Sequence, residues 1–142
     1  MSRISDILSR KGTKTISVAP DTCVLDALKV MAENNIGSVV VTDNGTFRGI
    51  ITERDYSRKV ILKGKNSTDT KVSEIMTTDF PLLQPADSIE YCMGLLTKNN
   101  LRYLPVFKDN EFAGIISISD VVTETILFQQ QTINHLHDYI HS

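Results

Sequence analysis

Two aspartates close two copies of one phrase. Gly49-Ile-Ile-Thr-Glu-Arg-Asp55 returns 65 residues later as Gly114-Ile-Ile-Ser-Ile-Ser-Asp120. An ionised carboxylate offers two acceptor oxygens and a ribose cis-diol offers two donors, so either aspartate could hold a sugar through a paired, charge-assisted bond. Thr52 or Ser117, three residues earlier, adds a hydroxyl that can bond a phosphate, and the free N–H groups of a first helical turn favour an anion there. The same residues also spell a capping box, Ser/Thr-x-x-Asp, in which the carboxylate ties down a helix start. The two roles are compatible.

The elements that must position these side chains are duplicated too. At an offset of 65, Pro20 meets Pro85, Asn34-Asn35 meets Asn99-Asn100, Val41 meets Val106 and Phe47 meets Phe112. A further echo sets "ISDIL" (4–8) against "VSEIM" (72–76). Each copy starts with a short extended piece, "TISV" or "PLLQ", closed by the proline. Thr22 and Asp87 stand as N-caps, with Asp87-Ser-Ile-Glu90 as a capping box. Apolar residues 24, 27, 28 and 31, and 89, 92, 93 and 96, recur at helical spacing. The asparagine pairs end these helices. "SVVVT" (38–42) and "YLPVF" (103–107) read as strands, Asn44-Gly45 and Asp109-Asn110 as hairpin turns, Phe47–Ile51 and Phe112–Ile116 as returning strands. A second helix begins near Thr52 and near Ser117. Pro105 marks an edge or strand-end position. The fold class is α/β (α+β): two β-α-β-β-α repeats related by a pseudo-two-fold. The expected boundaries are 4–62 for the first repeat, 63–71 for a polar linker, 72–125 for the second repeat and 126–142 for a C-terminal helix, all in one module over 1–142. A unit of about sixty residues is marginal alone, so the copies are expected to pack together, with the ligand between them.

Bulk properties narrow the field. A net charge of −2 gives no general attraction to nucleic acid. The basic N-terminus (Arg3, Arg10, Lys11, Lys14) has no aromatic interleaving, so no nucleic-acid partner is expected. No apolar run approaches the length of a membrane span, and "MSRISDILSRKGTK" has no apolar leader region, so the expectation is a cytoplasmic chain. Cys23 and Cys92 lie in apolar surroundings and read as buried thiols. His137 and His141 have a spacing that could hold zinc, but no third ligand accompanies them and no metal is expected. No nucleophile stands beside a base and no Gly-rich Walker loop is present, so no enzyme is expected.

With both phrases in register with the proline, hairpin and helix signals, the chain resembles a tandem pair of CBS (cystathionine β-synthase) domains, a Bateman module of the stand-alone type. The resemblance spans about residues 4–125. It implies a regulatory module that binds an adenosyl ligand (AMP, ADP, ATP, NAD(H) or S-adenosylmethionine), forms a homodimer and signals to an effector protein by a conformational change. It also implies pockets shared across the copies. Site one would join Thr52, Arg54 and Asp55 to Leu82, Leu83, Arg102, Tyr103 and Leu104. Site two would join Ser117, Ser119 and Asp120 to Ile16, Ser17, Gly37, Ser38 and Val39.

The copies differ in charge. Arg54, Arg58, Lys59, Lys63 and Lys65 surround Asp55, whereas Val121, Val122, Thr123 and Glu124 follow Asp120. We expect site one to take a polyphosphate or pyrophosphate, and site two at most a monophosphate. Arg54 and Arg102 suit phosphate geometry, and the lysines read as a solvated helix face. In the tail, Ile126, Ile133, Leu136 and Ile140 form a stripe that could pack on its own chain or on a second one.

Overall fold

The structure is a computed structural model that describes residues 2–12 and 14–141, with His141 described by its backbone alone. The elements run α1 (Ile4–Lys11), β1 (Ser17–Val18), α2 (Val24–Asn34), β2 (Ser38–Asp43), β3 (Thr46–Thr52), α3 (Glu53–Tyr56) with a wider π-type turn over Ser57–Ile61, α4 (Val72–Ile75), α5 (Ile89–Lys98), β4 (Tyr103–Lys108), β5 (Glu111–Ser117) and α6 (Ile118–His141). They divide into two compact units: Thr15–Phe80, called here the Asp55 unit, and Met1–Lys14 with Pro81–Ser142, the Asp120 unit.

In the Asp55 unit the sheet order is β1-β2-β3, with β1 parallel to β2 and β2 antiparallel to β3. Asn44 and Gly45 turn the hairpin with φ of 50° and 80°, the doubly left-handed pair that a tight two-residue hairpin requires. The sheet packs on α2 through Val24, Ala27, Met31, Val39, Val41 and Ile51, and Val60, Val72 and Ile75 complete the buried cluster. Asn35 ends α2 in the left-handed conformation (φ 52°) and the Asn34 side chain donates to the Val30 carbonyl (2.8 Å).

The Asp120 unit repeats this plan. β4 and β5 pair antiparallel, and Asp109-Asn110 turns with φ of 53° and 66°. Asn100 is left-handed, and Asn99 donates to the Leu95 carbonyl (2.8 Å). Both hairpins slip by one residue at matching positions, Val41/Thr42 and Val106/Phe107.

Two expectations need correcting. The extended pieces are weaker than read: only Ser17–Val18 forms a strand, and 81–84 forms none. Pro105 explains the difference. Its counterpart Val40 donates its N–H to the Ile16 carbonyl (3.2 Å). Proline has no N–H, so on the second copy that rung is missing and only Phe107 N–H to Leu83 O (2.9 Å) remains. The helix caps also sit one residue later, at Cys23 and Ser88. Ser88 Oγ accepts from Tyr91 N–H, while Asp87 takes the Gln84 N–H (2.7 Å) and shapes the preceding turn rather than a box with Glu90.

Cys23 makes no side-chain cap bond because the polar stretch 63–71 replaces it. Val24 N–H donates to Thr70 O (2.8 Å) and Leu25 N–H to Ser67 O (3.0 Å), satisfying donors that a helix start leaves open. An Asn66 side-chain turn onto Thr68 and the bond from Thr70 Oγ1 to Asn66 O hold the stretch in shape. In the other unit the Ser2 carbonyl serves α5 the same way, accepting from Ile89 N–H (3.3 Å).

The echoed helices α1 and α4 pack in a related manner. Val72 and Ser73 donate to Thr22 O and Pro20 O, and Ile4 and Ser5 donate to Asp87 O and Pro85 O, all between 2.8 and 3.1 Å. Thus α4 precedes the second copy in sequence but belongs to the Asp55 unit, and α1 precedes the first copy but belongs to the Asp120 unit.

Candidate functional site

Each phrase folds as a strand running straight into a helix. In the Asp55 unit β3 ends at Thr52, the N-cap of α3. Asp55 N–H donates to Thr52 Oγ1 (3.0 Å), and Thr52 N–H donates back to Asp55 Oδ2 (3.0 Å). The Thr52 hydroxyl also lies 3.0 Å from Oδ2. In the Asp120 unit, Asp120 N–H donates to Ser117 Oγ (3.1 Å) and Ser117 N–H to Asp120 Oδ2 (2.8 Å). The capping box is therefore formed in both copies. The adjoining strand closes each helix start further: Glu53 N–H donates to Gly37 O (3.1 Å) and Ile118 N–H to Arg102 O (3.0 Å).

The glycines have a packing role. A Cβ on Gly49 would lie 2.7 Å from the Thr77 carbonyl oxygen, because residue 77 bridges to β3 through two bonds with Ile50 (2.9 and 3.0 Å). A Cβ on Gly114 would lie 2.7 Å from the tip of Leu8. In each unit, the close neighbour comes from the segment around α4 or α1.

The charge surroundings differ. Asp55 is 8 % exposed. Its Oδ1 takes Lys59 Nζ at 3.0 Å and the Thr77 hydroxyl at 3.3 Å, so both carboxylate oxygens are engaged. Lys59 also donates to Ile75 O (2.8 Å), which corrects its reading as part of a solvated face. At Asp120 the cation is Lys11, whose Nζ lies 2.8 Å from Oδ2 and also donates to Ile115 O (2.9 Å). The position matching Lys59 is Glu124, which accepts from Arg10 and from Ser2 Oγ. Arg10 and Lys11, weighed from sequence only as part of a basic N-terminus, are thus paired with α6. The Lys59 pairing follows from its i,i+4 spacing with Asp55. Lys11 and Thr77 carry no such local signal, since both arrive from segments distant in sequence.

The residues expected to bind ligand fall into two groups. Ile16, Ser17, Gly37, Ser38 and Val39 lie in the unit of Thr52, Arg54 and Asp55, where Ser38 pairs with Thr52 and Val39 with Ile51. Leu82, Leu83, Arg102, Tyr103 and Leu104 lie in the unit of Ser117, Ser119 and Asp120, where Tyr103 pairs with Ser117 and Leu104 with Ile116. Val39, Leu83 and Leu104 are buried, whereas Leu82 and Arg102 are exposed. An open groove of about 470 Å³ beside Arg3, Gln84 and Phe107 contains none of these residues.

Among the described residues no group of three metal-ligating side chains comes together, and the His141 side chain lies outside them. Among the described residues, too, no helix is long and apolar enough to cross a membrane. Cys92 is buried, and burial, helped by the charges of Asp87 and Asp120, pushes its thiol up to about 11. Cys23 is half-buried.

The CBS-domain family model matches twice, over residues 4–61 and 72–126. The mitochondrial CBS domain-containing protein CBSX3 of Arabidopsis thaliana is 38 % identical over 146 residues, covering 96 % of this chain and 71 % of the relative. A CBS-domain structure from Burkholderia ambifaria MC40-6, assigned to signal transduction, superposes with a TM-score of 0.84 at 39 % identity, covering 89 % of this chain and 95 % of that one. The hexameric CBS-CP12 protein of bloom-forming cyanobacteria superposes at 0.72 with 26 % identity, over 86 % of this chain and 70 % of that one.

Proposed function

Because the chain belongs to the CBS-domain family, as a tandem pair, we propose that it is a non-catalytic regulatory module that binds an adenine nucleotide (AMP, ADP or ATP) and signals its occupancy to an effector protein as a homodimer. The observation that carries this reading is the duplicated carboxylate. Asp55 and Asp120 stand at the same strand-to-helix junction, each beside a hydroxyl three residues earlier and each neutralised by one lysine. A ribose diol can replace the ammonium group at such a carboxylate without disturbing the backbone cap. The assignment of the Burkholderia neighbour to signal transduction supports the regulatory part. The hexameric cyanobacterial neighbour supports self-association.

A specific observation favours a second ligand class. Arg54, Arg58, Lys63 and Lys65 surround Asp55 in sequence, and a dinucleotide pyrophosphate such as that of NAD(H) suits this charge. One melting screen against AMP, ADP, ATP, NAD, NADH and S-adenosylmethionine separates these readings. A ligand at a hundred times its dissociation constant adds about 2.7 kcal/mol of stability. Asp55→Asn and Asp120→Asn should remove that shift from the site each serves. A chain that melts at one temperature with all six compounds binds none of them, and product formed from ATP or NADH above a blank would make it an enzyme.

A further inference from the structure

The helix α6 carries a seam that the nucleotide reading leaves unused. Val122, Ile126, Gln129, Ile133, Leu136 and Ile140 follow one another at steps of four, three, four, three and four residues. The steps alternate between three and four residues, the spacing of the two core positions of a coiled-coil heptad. The apolar members are 48, 58, 58, 58 and 75 % exposed in that order, and Gln129 is exposed as well. The seam is about 27 Å long at 1.5 Å per residue. Helices gain most of their stability from covering an apolar face, and a contiguous apolar stripe of this kind marks an interaction surface.

We propose that this seam pairs with the same seam of a second copy, as a parallel two-stranded coiled coil. The proposal deepens the homodimer part of the reading above and is independent of the nucleotide. Three features select a like partner. Ile126, Ile133 and Ile140 occupy one core position and Val122 and Leu136 the other, and isoleucine at the first with leucine at the second favours two parallel strands. Gln129 is the one polar residue in the seam. In a parallel, in-register pair it meets its own copy and the two amides bond, whereas in an antiparallel pair it faces an apolar side chain and is left without a partner. The flanking positions hold Ile118, Thr125, Thr132 and Tyr139 on one side and Thr123, Gln130 and His137 on the other. None is Asp, Glu, Lys or Arg, so an identical helix meets no repulsion and a charged partner finds nothing to read.

The test uses the full chain with Leu136→Cys, oxidised in solution and run on a non-reducing gel. Asp138→Cys, on the outer side of the same helix, is the matched control, and the unsubstituted chain sets the background from Cys23 and Cys92. A parallel seam brings the two 136 positions within disulfide reach, so that variant should cross-link at least about tenfold faster than the control. Sedimentation velocity on the same samples reads the oligomeric state. Cross-linking at 136 with a sedimenting dimer supports the proposal. A dimer without preferential cross-linking overturns the seam and leaves the homodimer standing, and a monomer overturns both.

Discussion

The Asp55 and Asp120 units share the strand-to-helix junction and differ in what surrounds its carboxylate. Both form the strand-to-helix turn, the capping box and the doubly left-handed hairpin. The cation at Asp55 is Lys59, one turn along the same helix, whereas the cation at Asp120 is Lys11 from α1. At Glu124, the counterpart of Lys59, the sign of the charge is reversed, and Arg10 answers it. Local backbone geometry thus follows the repeated phrase, while the electrostatics depend on the segment that packs against it. Two junctions built on one phrase can therefore differ in charge.

The largest test of this comparison is steric. At Gly49 an added methyl meets a backbone carbonyl, which cannot yield without breaking the bridge between Ile50 and Thr77. At Gly114 it meets the tip of a leucine side chain, which can rotate, but the backbone φ of 158° there adds strain for any side chain. Gly49→Ala should cost about 3 kcal/mol and Gly114→Ala about 2 kcal/mol, read from urea unfolding by circular dichroism. A larger cost at Gly114 would mean that backbone strain at residue 114 outweighs the carbonyl clash at residue 49.

The carboxylates come next. Asp55 uses both oxygens, on Thr52, Thr77 and Lys59, while the bonds of Asp120 converge on Oδ2. Asp55→Asn should cost about 2 kcal/mol and Asp120→Asn about 1 kcal/mol, in the range for hydrogen bonds to charged groups and for helix caps. The same variants in the ligand screen separate the structural role from the binding role. If Asp120→Asn proved the more damaging to stability, the ranking of the two environments would be inverted.

These contrasts mark how far the sequence could be read. The hairpins, α2, α5 and both capping boxes were legible because their signals are local: asparagine and glycine at left-handed turns, apolar spacing, and a hydroxyl three residues before a carboxylate. The Thr22 cap was misplaced by one residue because the α2 donors go to the backbone carbonyls of Thr70 and Ser67, which have no side-chain signature, and the Asp87 cap because Asp87 turns back to the Gln84 N–H and leaves Ser88 to cap α5. The packing role of Gly49 and Gly114 has no local signal. Their close neighbours, Thr77 and Leu8, come from segments 28 and 106 residues away, respectively, and no periodicity reports such a contact. Lys11 and Arg10 escaped for the same reason. The fading of the first strand in the second copy was legible in Pro105, which was read as an edge signal without the consequence for residues 81–84.

The buried thiol offers a third contrast, since Cys92 stands where the first copy has Ala27. Its folded value of about 11 lies above the ordinary 9.0. The unfolded chain therefore holds fewer protons over that window, and stability should fall as pH rises from about 9 to about 11. The loss should be on the order of 1 kcal/mol and absent in Cys92→Ala. Thiol labelling at pH 8 should reach Cys23 well before Cys92. A Cys92→Ala chain with the same alkaline decline would assign it to other groups.

The smallest effect probes the cations themselves. Lys59 and Lys11 keep 43 % and 34 % of their side chains exposed, so solvent and salt weaken both ion pairs. Lys59→Met and Lys11→Met should each cost about 0.5–1 kcal/mol, reduced further in 1 M salt. The more useful reading is affinity. If the ammonium group occupies the carboxylate that a ribose must reach, removing it should tighten nucleotide binding at that unit while slightly destabilising the fold. If the lysine instead contacts the ligand, the same change should weaken binding. Titrating both variants with the nucleotide found in the screen decides, unit by unit, whether each lysine competes with the sugar or helps to hold it.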